Sequence, residues 1–278
     1  MGLKKRRIKG SELIIHLCLF AGVTIVAFPF LWMILSSFKS LSDFYSFSFF
    51  PHEIDLSAYK YIFHETGFLT WYMNSIIIAA VVTLSCLIFN SLIGYTLAKY
   101  KFPGVKVIFI LILSTLMIPT EMLVIPWYVM GSKVNIIDSY SGIMFPGLIE
   151  AFGVFLMRQF MLGIPDDLLD AARIDGMSEF KIWWRVAIPQ VKPALSALGI
   201  ITFLGNWNAY LWPVIAVSSD NMRTLPVGIS LFATGDGGGI QWNTIMGMST
   251  LAVVPMMVVF LIFQRRIVEG ISLTGVKG

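Results

Sequence analysis

The chain has 278 residues, of which 57% are hydrophobic and 13% charged, where soluble domains carry roughly 25% charged residues. This balance excludes an ordinary soluble enzyme, and the net charge of +4 comes from cations clustered beside apolar runs rather than from a nucleic-acid-binding face. The two cysteines, Cys18 and Cys86, lie in separate apolar runs, so neither a disulfide framework nor a metal site is expected.

Six apolar segments, near 13–35, 75–98, 107–130, 141–157, 194–217 and 244–263, approach the ~20 residues that cross a bilayer as helix. They predict an all-α integral membrane protein with six transmembrane helices. The basic start Lys4-Lys5-Arg6-Arg7 precedes an apolar run longer than a signal-peptide core, with no small-x-small site closing it. It reads as a retained first span. Sixteen of the 20 lysines and arginines fall at the amino terminus, in the second and fourth connections, and in the carboxyl tail. That asymmetry puts both termini in the cytoplasm. The expected map is a cytoplasmic stretch 1–12, a first span 13–35, an external loop 36–70, a membrane core 71–264 and a cytoplasmic tail 265–278. Within the core, residues 158–193 form a cytoplasmic loop.

Along the chain, the first external connection is rich in aromatic residues, which suit a membrane interface, and holds His52 and His64 without partners at metal spacing. The second span carries Asn74, Asn90 and Ser91, which should face other helices, while Gly94 and Ala98 permit tight packing. Pro103-Gly104 makes a short turn. The third span holds Pro119, Glu121 and Pro126, and Glu121 faces either a polar path or the outer interface. Glu150 falls near the middle of the fourth span, where an ionisable group is costly. It either lines a pathway or bonds a neighbouring helix. In the fifth span Asn206 and Asn208 alternate with Trp207, Tyr210 and Trp212. Amides with rings suit sugar hydroxyls and CH faces, but they also suit interhelical bonding. The glycine run Gly235-Asp236-Gly237-Gly238-Gly239 lacks the following Lys-Ser or Lys-Thr of a phosphate cradle.

The polar stretch 166–193 reads as two short helices with a break. Asp166, Asp167 and Asp170 favour a helix start, Gly176 permits a sharp turn, helical spacing resumes at Glu179, and Pro189 and Pro193 punctuate the return to an apolar run. Here Asp170-Ala171-Ala172, three residues, Gly176, nine residues and Val186-Ala187-Ile188-Pro189 resemble the EAA loop of binding-protein-dependent ABC importer permeases. The family pattern is Glu-Ala-Ala, three residues, Gly, nine residues, Ile-x-Leu-Pro. This chain has Asp for the first Glu and Val and Ile for the Ile and Leu. The end of the chain, Gln264-Arg265, Gly270 and Gly275-Val276-Lys277-Gly278, is similar to the tail of the maltose-type sugar permeases.

The resemblance implies a type I ABC importer permease fold. It implies that Asp170, Ala171, Ala172, Asp175, Gly176 and Pro189 couple to an ATPase. It also implies that Gln264, Arg265, Gly270 and Lys277 approach that subunit. The implied partners are a second permease subunit, an ATP-binding cassette ATPase dimer, an extracytoplasmic solute-binding protein and the lipid bilayer, with no nucleic acid. No cofactor is expected on this chain, since ATP would be used by the partner. The sequence has no G-x-x-x-x-G-K-[ST] and no grouped catalytic acids, which points to a transport subunit rather than an enzyme. Two alternatives stay open: an importer of a non-sugar solute, and a stand-alone transporter, whose fold often shows internal repeats that this sequence lacks.

Overall fold

The computed structural model describes residues 10–46, 48–234 and 240–275, with side chains at 12 and over 14–262 of those stretches. Among the described residues there are helices and turns and no strand. In chain order the helices are α1 (Gly10–Ser36), α2 (Leu41–Phe44), α3 (Ser57–His64), α4 (Phe68–Lys99), α5 (Val105–Thr115), α6 (Thr120–Lys133), α7 (Tyr140–Met144) and α8 (Ala151–Leu162). There follow α9 (Asp166–Ile174), α10 (Glu179–Ile182), α11 (Ile188–Gln190), α12 (Lys192–Trp207), α13 (Leu211–Ala216), α14 (Leu225–Thr234) and α15 (Trp242–Gly275). A π turn, Trp183–Ala187, joins α10 to α11.

The chain divides into two compact units, Met1–Thr66 with Ile229–Val253, and Gly67–Gly228 with Val254–Gly278. In the first, α1 is apolar on every side and its side chains stand exposed, Phe20 at 73% and Ile25 at 72%, as a helix surrounded by lipid requires. The loop after it is held by a buried cation. Lys39 Nζ donates to the Ser48 carbonyl and lies 4.8 Å from the Trp32 ring centroid, and Asn243 Nδ2 donates to the Lys39 carbonyl at 3.3 Å.

The second unit is built on α4, a helix of 32 residues, about 48 Å at 1.5 Å per residue. It packs along α8 and α12. One core cluster, with Tyr95, Met157, Met161, Leu169, Ile182, Trp183 and Leu198, ties α4, α8, α9 and α12 together. A second, with Ile78, Val82, Cys86, Ile143 and Val217, lies further along α4. The α4–α8 seam is close because both helices bring glycines to it. A Cβ on Gly94 would stand 2.8 Å from the Arg158 backbone nitrogen, and one on Gly153 2.1 Å from Asn90 Nδ2.

Three features correct the linear map. First, α4 begins at Phe68, inside the stretch expected to be external loop, because its polar side chains have partners: Trp71 Nε1 donates to the Asp220 carbonyl at 3.0 Å, and Asn74 Nδ2 to the carbonyls of Asn221 and Arg223, each at 2.8 Å. Second, among the described residues only Ile14–Ser36, Phe68–Lys99 and Trp242–Ile262 are single helices long and apolar enough to cross alone. The other apolar segments are bent pairs: 100° between α5 and α6, 45° at the entry to α8, and 87° at the entry to α12. The first bend falls at Pro119, which has no N–H and disfavours helical geometry before it. Third, the stretch after residue 217 expected to be an external loop contains α14, and α15 runs on past residue 264 to Gly275. The glycine run 235–239 lies outside the described residues.

Candidate functional site

Three interruptions of the helices meet at one open cavity of about 490 Å³. Thr115, Leu116, Ile118 and Thr120 come from the break between α5 and α6. Pro146, Gly147, Ile149, Glu150 and Ala151 come from the break before α8. Asn206, Ala209 and Trp212 come from the break between α12 and α13. Broken backbone at membrane depth survives only where protein or a water-filled cavity satisfies the freed groups. Here α4 satisfies the second break: Ser85 Oγ donates to the Leu148 carbonyl at 2.8 Å, Cys86 Sγ to the Gly147 carbonyl at 3.1 Å, and Asn90 Oδ1 accepts the Glu150 N–H at 3.3 Å. At the third, Asn206 Nδ2 donates to the Thr202 carbonyl at 2.9 Å. Trp212 Nε1 donates to the carbonyls of Gly142 and Ile143 at 3.2 and 3.1 Å, and Trp127 and Phe145 meet the Trp212 ring edge-on at 5.7 and 5.8 Å. The cavity thus offers amide, hydroxyl and carboxyl groups among aromatic faces. Among the described residues, Glu150 is the only ionisable group on its lining, with no lysine or arginine there.

At the other end of α4 stands a compact polar handle. Helix α9 starts after Pro165, with Asp166 and Asp167 in its first turn, where carboxylates meet the positive end of the helix dipole. Its inner face buries Leu169 and Ala172 against the core of Ile182 and Trp183. Gly176 then takes φ +77°, a left-handed conformation that side-chain-bearing residues rarely adopt. Arg173 spans the turn. Its Nε and Nη2 donate to Glu179 Oε1 and Oε2 at 2.8 and 3.3 Å, and its Nη1 to Asp170 Oδ1 at 2.5 Å. These bonds hold the Glu179 carboxyl below its usual range, with Arg173 as the main cause and the Tyr100 phenol next. Asp166 is likewise held low by its hydrogen bond to Lys99. The outer surface of the handle exposes Ile174, Phe180 and Trp184, at 87%, 64% and 56%. In the π turn the Ile188 N–H bonds to the Trp183 carbonyl, and Pro189, which has no N–H, follows at once.

The predicted site residues separate as follows. Glu150 and Asn206 share the cavity lining, and Asn208 is not on it. The Asn208 Nδ2 donates to the Leu204 carbonyl at 2.8 Å and approaches Met256 Sδ at 3.6 Å. Glu150 is not mid-helix but stands just before the first residue of α8, where its side chain makes no capping hydrogen bond. Glu121 is exposed in the first turn of α6 and is not on the cavity lining. Asp170, Ala171, Asp175, Gly176 and Pro189 are on the exposed side of the handle, whereas Ala172 turns inward, so its small size serves packing within this chain. Gln264, Arg265 and Gly270 lie along α15 with side chains outside the description, and Lys277 lies outside the described residues. Sequence reasoning missed Trp127, Thr115 and Thr120, whose signal is the Pro119–Pro126 bracket. It also missed the Arg173–Glu179 pair, opposite charges flanking a glycine turn, and Lys99.

Residues 90–273 match the family described as binding-protein-dependent transport system inner membrane component. The chain is 36% identical over 265 residues to the arabinooligosaccharides transport system permease protein AraQ of Halalkalibacterium halodurans, covering 93% of this chain and 94% of that protein. It is 33% identical over 273 residues to the sn-glycerol-3-phosphate transport system permease protein UgpE of Yersinia pestis, covering 95% and 96%. Its fold is similar to that of a chain in the crystal structure of a bacterial ABC transporter involved in import of the acidic polysaccharide alginate. The TM-score there is 0.81 at 23% identity, over 95% of this chain and 99% of that one. This multi-pass membrane chain therefore belongs to the family of binding-protein-dependent transport system inner membrane components.

Proposed function

We propose that this chain is one of two permease subunits of an ABC importer for a neutral, hydroxyl-rich solute, a sugar or oligosaccharide, and that it has no ATPase activity of its own. In this reading α5 with α6, α7 with α8, and α12 each supply one span beside the three long helices, which makes six spans with both termini in the cytoplasm of the cell. The external stretches meet a solute-binding protein, and α9 with its turn docks on an ATPase subunit. The observation that carries the reading is the convergence of three helix breaks on one cavity, in the same unit as the handle that exposes Ile174, Phe180 and Trp184. Interrupted helices lining a cavity are how membrane proteins present backbone and polar side chains to a solute. The chemistry of the lining favours hydroxyls over phosphate. Glu150, Asn206, Thr115 and Thr120 can bond hydroxyl groups and Trp127 and Trp212 can cover CH faces, while among the described lining residues a phosphate ester would meet a carboxyl and no cation. The name of the AraQ relative supports the same class.

The test is uptake by the transporter reconstituted with its partners. ATP-dependent uptake of a neutral oligosaccharide is expected, with loss of about tenfold or more in Asn206→Leu, which removes one hydrogen-bonding group from the cavity lining. Preferred uptake of a glycerol phosphate would overturn the substrate class. Uptake independent of ATP would overturn the importer reading itself.

A further inference from the structure

We infer that Lys99 is a positioning residue that locks helix α9 to the cytoplasmic end of α4, making α4 the rod through which movement of the handle reaches both the cavity and the external face. The inference rests on the importer reading above. Lys99 is the last residue of α4, yet its side chain is only 5% exposed. Its Nζ donates to the Ile164 carbonyl at 2.5 Å and to Asp166 Oδ1 at 2.7 Å. Both acceptors belong to the entry of α9, so a single ammonium holds the backbone and the first side chain of that helix. A buried cation left without such partners is costly, which makes the arrangement specific to one position of α9. A second cation fastens the same end: Arg158 Nε donates to the Leu97 carbonyl at 3.3 Å, and its guanidinium lies 4.0 Å from the Phe109 ring centroid.

The far end of α4 is fastened as firmly. Trp71 and Asn74 bond the carbonyls of Asp220, Asn221 and Arg223, and Ser75 Oγ accepts the Leu225 N–H at 2.8 Å. Between the two ends, Ile78 reaches the cavity wall and Ser85, Cys86 and Asn90 hold the break before α8. From Trp71 to Lys99 a continuous helix spans roughly 42 Å at 1.5 Å per residue. Packed helices move as units between discrete arrangements, so a handle fixed to one end of α4 moves what is fixed to the rest of it.

The experiment compares Lys99→Gln, Lys99→Arg and Asp166→Asn in the complete transporter, reading assembly, basal ATP hydrolysis and solute taken up per ATP hydrolysed. Lys99→Gln should assemble and hydrolyse ATP at the basal rate, with uptake per ATP lower by at least about fivefold, the lower end of a usual coupling free energy. Asp166→Asn should fall between it and wild type, because the Ile164 carbonyl still accepts, and Lys99→Arg should recover most of the loss. Unchanged uptake per ATP in Lys99→Gln overturns the lock. Loss of assembly in Lys99→Gln with normal assembly in Lys99→Arg also overturns it, by assigning the residue to folding. Either result leaves the importer reading standing as long as wild-type uptake follows ATP.

Discussion

Replacing Gly176 separates the backbone of the turn after α9 from its surroundings. The residue sits at φ +77°, and a Cβ built on it meets nothing within 4 Å. A substitution therefore costs what the left-handed conformation costs and nothing for space. Alanine should lose about 1–2 kcal/mol there, a factor of about 5–30 in population of the native turn. Asparagine, larger but more tolerant of that region, should lose less, and β-branched valine should lose most. The loss concentrates on a short segment, because the Gly176 N–H bonds to the Arg173 carbonyl at 3.0 Å and the Met177 N–H to the Ala172 carbonyl at 3.1 Å. Binding-protein-stimulated ATP hydrolysis and uptake in the assembled transporter should follow the order glycine, asparagine, alanine, valine. An order set by side-chain volume, with alanine above asparagine, would refute the backbone argument and mean that an incoming surface limits the site.

The packing around α4 predicts opposite outcomes for one substitution at two glycines: Gly94→Ala, in the α4–α8 seam 2.8 Å from the Arg158 backbone, should destabilise by about 1–3 kcal/mol, whereas Gly199→Ala, on α12 and 3.5 Å from the tip of Leu87 on α4, should be neutral or gain up to about 1 kcal/mol. Thermal unfolding of the purified transporter reads both, and equal effects would contradict the packing. Asp138 sits at φ +60° and accepts the Ser218 and Ser219 N–H groups at 3.0 Å each and the Ser219 hydroxyl. Asp138→Ala should cost about 2 kcal/mol and Asp138→Asn less, checked by unfolding and by amide exchange at Ser218 and Ser219. The carboxyls of Asp166 and Glu179 are both held low in the fold, so their contribution is complete above the ordinary carboxylate range. It is lost only as pH falls below about 4, through the lowered folded values. Amide exchange over α9 measured against pH should show this loosening, and Asp166→Asn with Glu179→Gln should flatten it.

What could be read in the sequence was local. Acids before Leu168, a glycine at 176 and renewed helical spacing from Glu179 specify two short helices and a turn with short-range rules alone, and the chain forms them. The apolar run from 107 to 130 hid the 100° break, although Pro119 stands at it, because a proline inside an apolar run is compatible with a kinked span as well as with a broken one. Glu150 illustrates the same limit. Counting along a straight span put it mid-helix, but its N–H is taken by Asn90, 60 residues earlier, and the helix starts after it. Lys99 read as one more basic residue marking a cytoplasmic connection. Its partners, Ile164 and Asp166, lie 65 and 67 residues away, beyond any local pattern. Trp127 read as part of an apolar run, and only the fold brings it to Trp212.

The central claim is that the cavity where the helices break is the solute path and that ATP in the partner subunits switches its access. Ala209→Cys, in a chain without Cys18 and Cys86, puts one thiol on that lining. The measurement is its reaction with a membrane-impermeant thiol reagent added to either side of proteoliposomes holding the whole transporter. The account predicts labelling from the cytoplasmic side without nucleotide, labelling from the external side when ATP is trapped, and protection by the transported solute. Labelling from the same side at the same rate in both states would contradict it.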